Sequence, residues 1–355
     1  MNDFIYLSRY SGMREDLVQA GGGNSSVKLS PSHMLIKASG FQLAELNENI
    51  GWCETNPQII VDFFSNDKNE ITKESEKQLL TDSVLSTTVN NDDGSKQLRP
   101  SIEIFLHSIT QKYTLHTHPT VVNILTATNK GWQTLKELFP EALFVDYATP
   151  GIKLAAAYFK TFKTFGKIPD VIFLKNHGLV VSGKCGDFVK NTTEEVLAKI
   201  EKHLHLDMSR YHNSTIIYDV ARTVPVLKEK IVYLSQHHDI LKALDEFGER
   251  LWNYQFCPDC LVYCGKHVLS LDDDFSASDF LNHLSKYGNP VILTFRNNVY
   301  ILADSVKKAK EIESVFAFSA QVALANKDTQ INLLSDNEQN FLLNWDAEKY
   351  RQSMK

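Results

Sequence analysis

The sequence predicts an α/β fold in which a largely antiparallel central sheet is covered by helices, followed by a smaller C-terminal α/β unit. Two observations carry this. Short runs rich in β-branched residues recur in pairs joined by turn chemistry, and amphipathic helical stretches are interspersed with them. At 355 residues the chain has room for two packed domains, and 43% hydrophobic with 23% charged is ordinary for a globular protein. The expected division is one domain over 1–212 and an accessory one over 213–355.

Phe4–Ala20 has an imperfect helical spacing of apolar residues, interrupted at Ser11-Gly12 and closed by Gly21-Gly22-Gly23. Ser26–Leu29 and Met34–Lys37 read as strands around the turn Ser30-Pro31-Ser32-His33, and Gln58–Phe64 as a further strand. Ser65–Arg99 is polar, with an amphipathic piece at Thr72–Leu85 and a turn at Asn90–Gly94. It reads as a solvated excursion or as an active-site lid. Ser101–Lys112 spaces Ile102, Phe105, Leu106 and Ile109 as a helix does, leaving Glu103 and His107 together on another face. Tyr113–His118 is a short strand stopped by Pro119, which has no N–H for a ladder. A helix at Thr120–Thr128, an amphipathic stretch to Phe139, a strand at Leu143–Ala148 and a helix at Ile152–Phe165 follow. Val171–Leu174 and Leu179–Ser182 flank Asn176-His177-Gly178 as a buried hairpin or bulged strand, and Asp187–Met208 is the longest clear helix. Beyond Asn213 the pattern gives two long helices before Phe256, a strand at Cys260–Cys264 and a hairpin of Val291–Phe295 and Val299–Ala303. A helix at Ser305–Asn326 and another from Asp336 close the chain.

A net charge of −6 and a pI near 6.1 give no general electrostatic reason to bind nucleic acid or an anionic membrane. The N-terminal residues lack a basic segment followed by an apolar run, and no 18 consecutive residues are apolar, so a cytoplasmic protein is expected. Five cysteines, an odd number with scattered members at Cys53 and Cys185, do not make a disulfide framework.

His116 and His118 are two apart on an extended chain, so both imidazoles project from one side, as metal ligands do. Catalytic zinc sites take three protein ligands and keep a position open. The best third candidate is His177, because Asn-His-Gly sits at the turn of a buried hairpin, where a side chain can point into a cleft. Each of these histidines taken alone reads as structural. His107 could pair with Glu103 as Glu-x-x-x-His on a helix face, but reads better as structural. The run Gly21-Gly22-Gly23-Asn24-Ser25 follows a helix and precedes a strand, the reverse of a P-loop, yet its N–H groups and side-chain donors suit a phosphate, with Ser39-Gly40 and Ser101 completing the set. Cys257-Pro-Asp-Cys260, Cys264 and His267 invite a structural zinc reading, against which stand buried free thiols. His203, His205, His237 and His238 read as surface or packing residues.

GGGNSSVKLS, MLIKASG, PSIEIFLH, LHTHP, DYATPG and LKNHGLVVSG, in that order, resemble the class II aldolase/adducin family of zinc-dependent sugar-phosphate aldolases. LHTHP and the late LLNWDAEKY are most similar to the aldolase portion of bifunctional rhamnulose-phosphate aldolase/alcohol dehydrogenases. The resemblance implies zinc, or another divalent metal, on His116, His118 and His177, with Glu103 as proton shuttle and Asn24, Ser39, Gly40 and Ser101 holding a substrate phosphate. It implies aldol cleavage of a ketose 1-phosphate to dihydroxyacetone phosphate and an aldehyde, in a homotetramer with a tyrosine from a neighbouring subunit protonating the aldehyde oxygen. Tyr147 lies in a matching block and is a weaker candidate for that acid. Where fuculose-phosphate aldolases carry two serines before the glutamate, this chain has Ser101-Ile102. The rival readings are a pentulose-phosphate 4-epimerase, whose branch carries aspartate at the Glu103 position, a related sugar-phosphate dehydratase, and a non-catalytic adducin-like scaffold.

Overall fold

The computed structural model describes residues 1–87, 98–248, 251 and 255–344. They divide into two compact units, Met1–Met208 and Ser209–Lys355.

In chain order the first unit contains α1 (Asn2–Gly12), β1 (Asn24–Ser30), β2 (His33–Lys37), β3 (Trp52–Thr55), α2 (Pro57–Ser65), α3 (Lys73–Asp82) and β4 (Val84–Thr87). Then come α4 (Ile104–Ser108), β5 (Tyr113–Thr117), α5 (Thr120–Thr126), α6 (Asn129–Leu138) and β6 (Leu143–Val145). The unit closes with α7 (Ile152–Phe165), β7 (Val171–Leu174), β8 (Gly178–Gly183) and α8 (Gly186–Leu204). Its strands form an eight-stranded sheet in the order β4-β3-β2-β1-β5-β8-β7-β6. Every pairing is antiparallel except β6 with β7.

Helices cover both faces, which is why β8 is buried at all six residues and reads as a continuous apolar run. On one face Leu115, Leu179 and Val181 pack with Leu7 of α1, Val121 of α5, and Val189 and Leu197 of α8. On the other, Ile172 and Val180 pack with Leu106 of α4 and with Leu154 and Tyr158 of α7, while Met34 and Ile36 meet Ile60 of α2 and Phe105 of α4. Asn24, His116 and Val180 stand opposite one another across β1, β5 and β8 and therefore share the face that α4 covers.

The second unit contains α9 (Ser209–Ala221), β9 (Ile231–Leu234), α10 (His238–Phe247), α11 (Pro258–Cys264), β10 (Leu269–Ser270), α12 (Ala277–Tyr287), β11 (Ile292–Phe295), β12 (Asn298–Ala303), α13 (Val306–Ala325) and α14 (Asp336–Asn344). Its sheet runs β10-β11-β12-β9, with one parallel pairing, β10 with β11.

Several elements depart from the sequence-based expectation. Gln58–Phe64 is a helix, not a strand. The Asn56 side chain accepts the Gln58 N–H at 3.1 Å, Pro57 occupies the first turn, and Ile60 and Phe64, four apart, bury one stripe. Cys260–Cys264 likewise belongs to a helix, α11, started by Cys257 at its N-cap and Pro258. The helix expected over Ser101–Lys112 is reduced to α4, because Ser101 N–H bonds to Lys37 O (3.2 Å) and ties its approach to the end of β2. The helix expected over Phe4–Ala20 ends at Gly12. Strands β3 and β9 occupy stretches where no strand is expected. The amphipathic piece at Thr72–Leu85 becomes α3 and β4, anchored where Glu76 Oε2 accepts the Ile152 N–H (2.9 Å) at the start of α7. The turn expected at Asn90–Gly94 and the end of LLNWDAEKY lie outside the described residues. Among the described residues no helix is long and apolar enough to cross a membrane.

Candidate metal centre

Strand β5 sets His116 and delivers His118 just past its end. His118 N–H bonds to Leu17 O (2.8 Å) and Thr120 N–H to Asp16 O (2.8 Å), so the turn after α1 clamps the chain where it leaves the sheet. Arg14, fully buried, holds that turn through ion pairs to Asp16 and to Glu194 on α8. His177 sits on the turn between β7 and β8, beside Asn176 in the left-handed region (φ 55°). Its N–H bonds to Leu174 O at 3.1 Å. Gly178 must be glycine there, since a Cβ would lie 2.3 Å from Thr117 O and 3.1 Å from His118 Cδ2. Gly23 backs the other side, with φ +71° and His116 O 2.9 Å from where its Cβ would stand.

The result is a convergence of Glu103, His116, His118 and His177, whose donor atoms all lie within 4.8 Å of one another. The Nε2 atoms of His116 and His118 are 3.0 Å apart, and Glu103 Oε1 is 3.3 Å from His116 Nε2 and 3.5 Å from His177 Nε2. Donors bound about 2.0–2.1 Å from a tetrahedral ion sit roughly 3.4 Å apart, so these spacings fit one. His116 Nδ1 is 3.1 Å from Leu179 O, a carbonyl that can only accept, so Nδ1 carries the proton and Nε2 presents its lone pair to the cluster. Three imidazole nitrogens with a neighbouring carboxylate suit a divalent transition metal better than calcium or magnesium. Among the described residues no second group of three or more such donors converges.

Burial pushes the His116 imidazole well below its usual range and lowers His118 too, which keeps both neutral and fit to ligate. Burial alone would raise the Glu103 carboxyl, but the surrounding imidazoles, His116 first, hold it down at about 2, so it is a carboxylate at neutral pH.

His107 stays outside the convergent set. Its Nδ1 contacts Ser26 Oγ at 2.8 Å, its Nε2 has no hydrogen-bond partner among the described residues, and burial pushes it down to about 4. Lys28 holds the far end of α4, donating to the carbonyls of His107, Thr110 and Gln111 at 2.8, 2.5 and 3.1 Å.

The residues expected around a phosphate are arranged unevenly. Asn24 is wholly buried in register with His116, and neither polar atom of its amide has a partner among the described residues. Ser39 N–H is spent on Arg99 O (2.8 Å) and Ser101 N–H on Lys37 O, so the hydroxyls, not these amides, remain for a ligand. Ser101 Oγ accepts the Glu103 N–H at 3.4 Å. Gly40 is exposed with φ +90° and open space at its Cβ position. Tyr147 is 63% exposed on the loop between β6 and α7 and is not among the converging residues. Lys37 belongs to none of these sequence-derived sets, yet its ammonium is buried, donates to Gly21 O (3.3 Å) and is electrostatically coupled to Glu103 and His118. Its one signal in the sequence is a charge closing the apolar strand Met34-Leu35-Ile36.

Residues 2–199 match the family model described as the class II aldolase and adducin N-terminal domain. The chain belongs to this family. Its fold resembles the N-terminal class II aldolase domain of a conserved protein from Thermoplasma acidophilum (24% identity over 57% of this chain and 92% of that one, TM-score 0.48). It also resembles the L-fuculose-1-phosphate aldolase of Thermus thermophilus (15% identity, 58% and 96%, TM-score 0.36). A third similar structure is YgbL of Klebsiella pneumoniae, a putative aldolase/epimerase/decarboxylase (16%, 58% and 89%, TM-score 0.40). No curated protein matches the chain. Class II aldolases typically depend on a divalent metal, and the Glu/His cluster lies inside the matched residues.

Proposed function

We propose that the protein is a zinc-dependent class II aldolase that reversibly cleaves a ketose 1-phosphate to dihydroxyacetone phosphate and an aldehyde. The observation that carries this reading is the convergence of three imidazoles and one carboxylate where β5 ends and β8 begins. His116, His118 and His177 would hold the metal. Bound there, zinc supplies a Lewis acid for the negative charge that develops on the ketose oxygens as the neighbouring C–C bond breaks.

Glu103 acts as the proton shuttle, delivering a proton to the carbon left electron-rich by cleavage and removing it in synthesis. Its carboxylate form suits the second task directly. Asn24, Ser39, Gly40 and Ser101 bind the phosphate, with the orphaned Asn24 amide the strongest support among them. Tyr147, or a tyrosine of a second subunit, protonates the aldehyde oxygen. The reading extends to a cytoplasmic homotetramer whose residues 1–212 form the catalytic domain and 213–355 an accessory α/β domain. It groups the chain with the aldolase portion of the bifunctional rhamnulose-phosphate enzymes.

The test is to incubate zinc-loaded protein with dihydroxyacetone phosphate alone in heavy water and follow exchange at the hydroxymethyl carbon by NMR. The wild type exchanges. Glu103→Gln keeps its zinc and loses at least about 100-fold in exchange rate, whereas His118→Ala loses both metal and exchange. Exchange that persists in Glu103→Gln refutes the shuttle, and its absence in the wild type shifts the reading to an epimerase or a dehydratase.

A further inference from the structure

The motif Cys257-Pro258-Asp259-Cys260 in the second unit takes no part in the chemistry above. Cys257 is the N-cap of α11 in an extended conformation (φ −142°, ψ 160°), Pro258 takes the first helical position, and Cys260 lies at the third. Side chains at these two positions meet for the reason that capping boxes form. Here they bring two sulfurs to 3.3 Å, within thiol hydrogen-bond contact. Both cysteines are free thiols, Cys257 partly exposed and Cys260 buried. A cavity of about 20 Å³, large enough for about one water, adjoins Cys260 and is lined also by Gln255, Cys264, His267 and Ser319 among others.

The same residues do not make a metal site. Zinc would need Cys264 or His267 to close on the first two sulfurs, yet the convergent donor group among the described residues is the histidine cluster alone. Two sulfurs in contact, one reachable and one beneath it, with no third donor converging, are arranged for reversible bond formation between them.

We propose that Cys257 and Cys260 form a thiol–disulfide exchange site whose substrates are low-molecular-weight disulfides. The Cys257 thiolate attacks one sulfur of RSSR, forming a Cys257–SR mixed disulfide and releasing RS⁻. Cys260, losing its proton as it attacks, displaces the second RS⁻ from the Cys257 sulfur and closes the Cys257–Cys260 bond. Two protein thiols give up two electrons and two protons, and RSSR leaves as two RSH. Burial, which raises the Cys260 thiol, keeps it protonated until Cys257 carries the adduct. To bond, the sulfurs approach by about 1.3 Å, from 3.3 Å to roughly 2.05 Å.

The experiment treats the full chain with glutathione disulfide in a Cys185→Ser background, which removes the exposed thiol outside the motif, then denatures it and counts free thiols by maleimide labelling and intact mass. Of the four remaining thiols two should disappear with no glutathione attached, and dithiothreitol should restore both. Adding Cys264→Ser should leave that loss of two intact, while adding Cys257→Ser should abolish it. A glutathione adduct that stays on the four-thiol protein overturns the proposal. So does a loss that requires Cys264, or thiols that react only after a chelator removes zinc. The Cys264→Ser arm and the intact mass decide the matter even if Cys257→Ser fails to fold.

Discussion

Two buried polar clusters lie in Met1–Met208, and they are built on opposite principles. In the first, opposite charges meet. Arg14 donates to Asp16 and Glu194, and Tyr10 adds its hydroxyl to Glu194 at 2.5 Å, so the guanidinium is neutralised from two sides. In the second, Glu103, His116, His118 and His177 all offer lone pairs to one region, with the unpartnered Asn24 amide in register beside them. The first cluster closes on itself and fixes the turn that receives the His118 and Thr120 N–H groups. The second is complementary to a cation, and its residues are held by the flanking turns as well as by the contacts of Glu103 with His116 and His177. Buried polarity therefore marks structure when it is self-compensating and a ligand site when it is not.

The contrast breaks first, and hardest, at Arg14. Arg14→Ala leaves Asp16 buried without its partner, which should cost about 3–5 kcal/mol in chemical denaturation. A loss under about 1 kcal/mol would show that the first cluster is not the structural one. A smaller effect comes from His107, which belongs to neither cluster. Unfolded, its imidazole titrates near its ordinary value of 6.5; folded, burial holds it at about 4. Between those values the unfolded chain binds the extra proton, so stability rises with pH across the window and is lost as pH falls toward 4. The contribution approaches about 3 kcal/mol. Denaturation midpoints measured from pH 4 to 6.5 should therefore slope less steeply in His107→Gln than in the wild type, and equal slopes would remove the claim.

Much of the histidine cluster's layout was legible because it follows from local periods. A spacing of two at the end of a strand puts His116 and His118 on one side, and a turn between paired β-branched runs places His177, whereas Glu103, expected on a helix face with His107, stands at the N-cap of α4. What escaped has two physical sources. At Gln58–Phe64 and Cys260–Cys264, β-branched and apolar content suggests strands, yet the Asn56 cap with Pro57 starts a helix in the first and Pro258 at the first helical position starts one in the second. At Lys37 and Arg14 the deciding partners are remote in sequence. The Gly21 carbonyl that receives Lys37 lies 16 residues earlier, and the Glu194 that receives Arg14 lies 180 residues later, so neither contact shows in a local pattern.

Metal loading gives the smallest expected effect and the sharpest separation of the two clusters. Zinc at about 100 times its dissociation constant should stabilise the wild type by roughly 2.7 kcal/mol, because it binds the folded donors and not the scattered ones. His118→Ala should abolish that gain. In metal-free protein the same substitution should change stability by about 1 kcal/mol or less, since His118 is only partly buried and its ring anchors no charge pair. Arg14→Ala must do the reverse, losing stability without metal yet keeping the increment that zinc adds if the protein still folds. Denaturation curves of the three proteins with and without zinc resolve the pattern. If His118→Ala proves as costly as Arg14→Ala in metal-free protein, the histidine cluster is self-supporting, and the inference from uncompensated lone pairs to a ligand site fails.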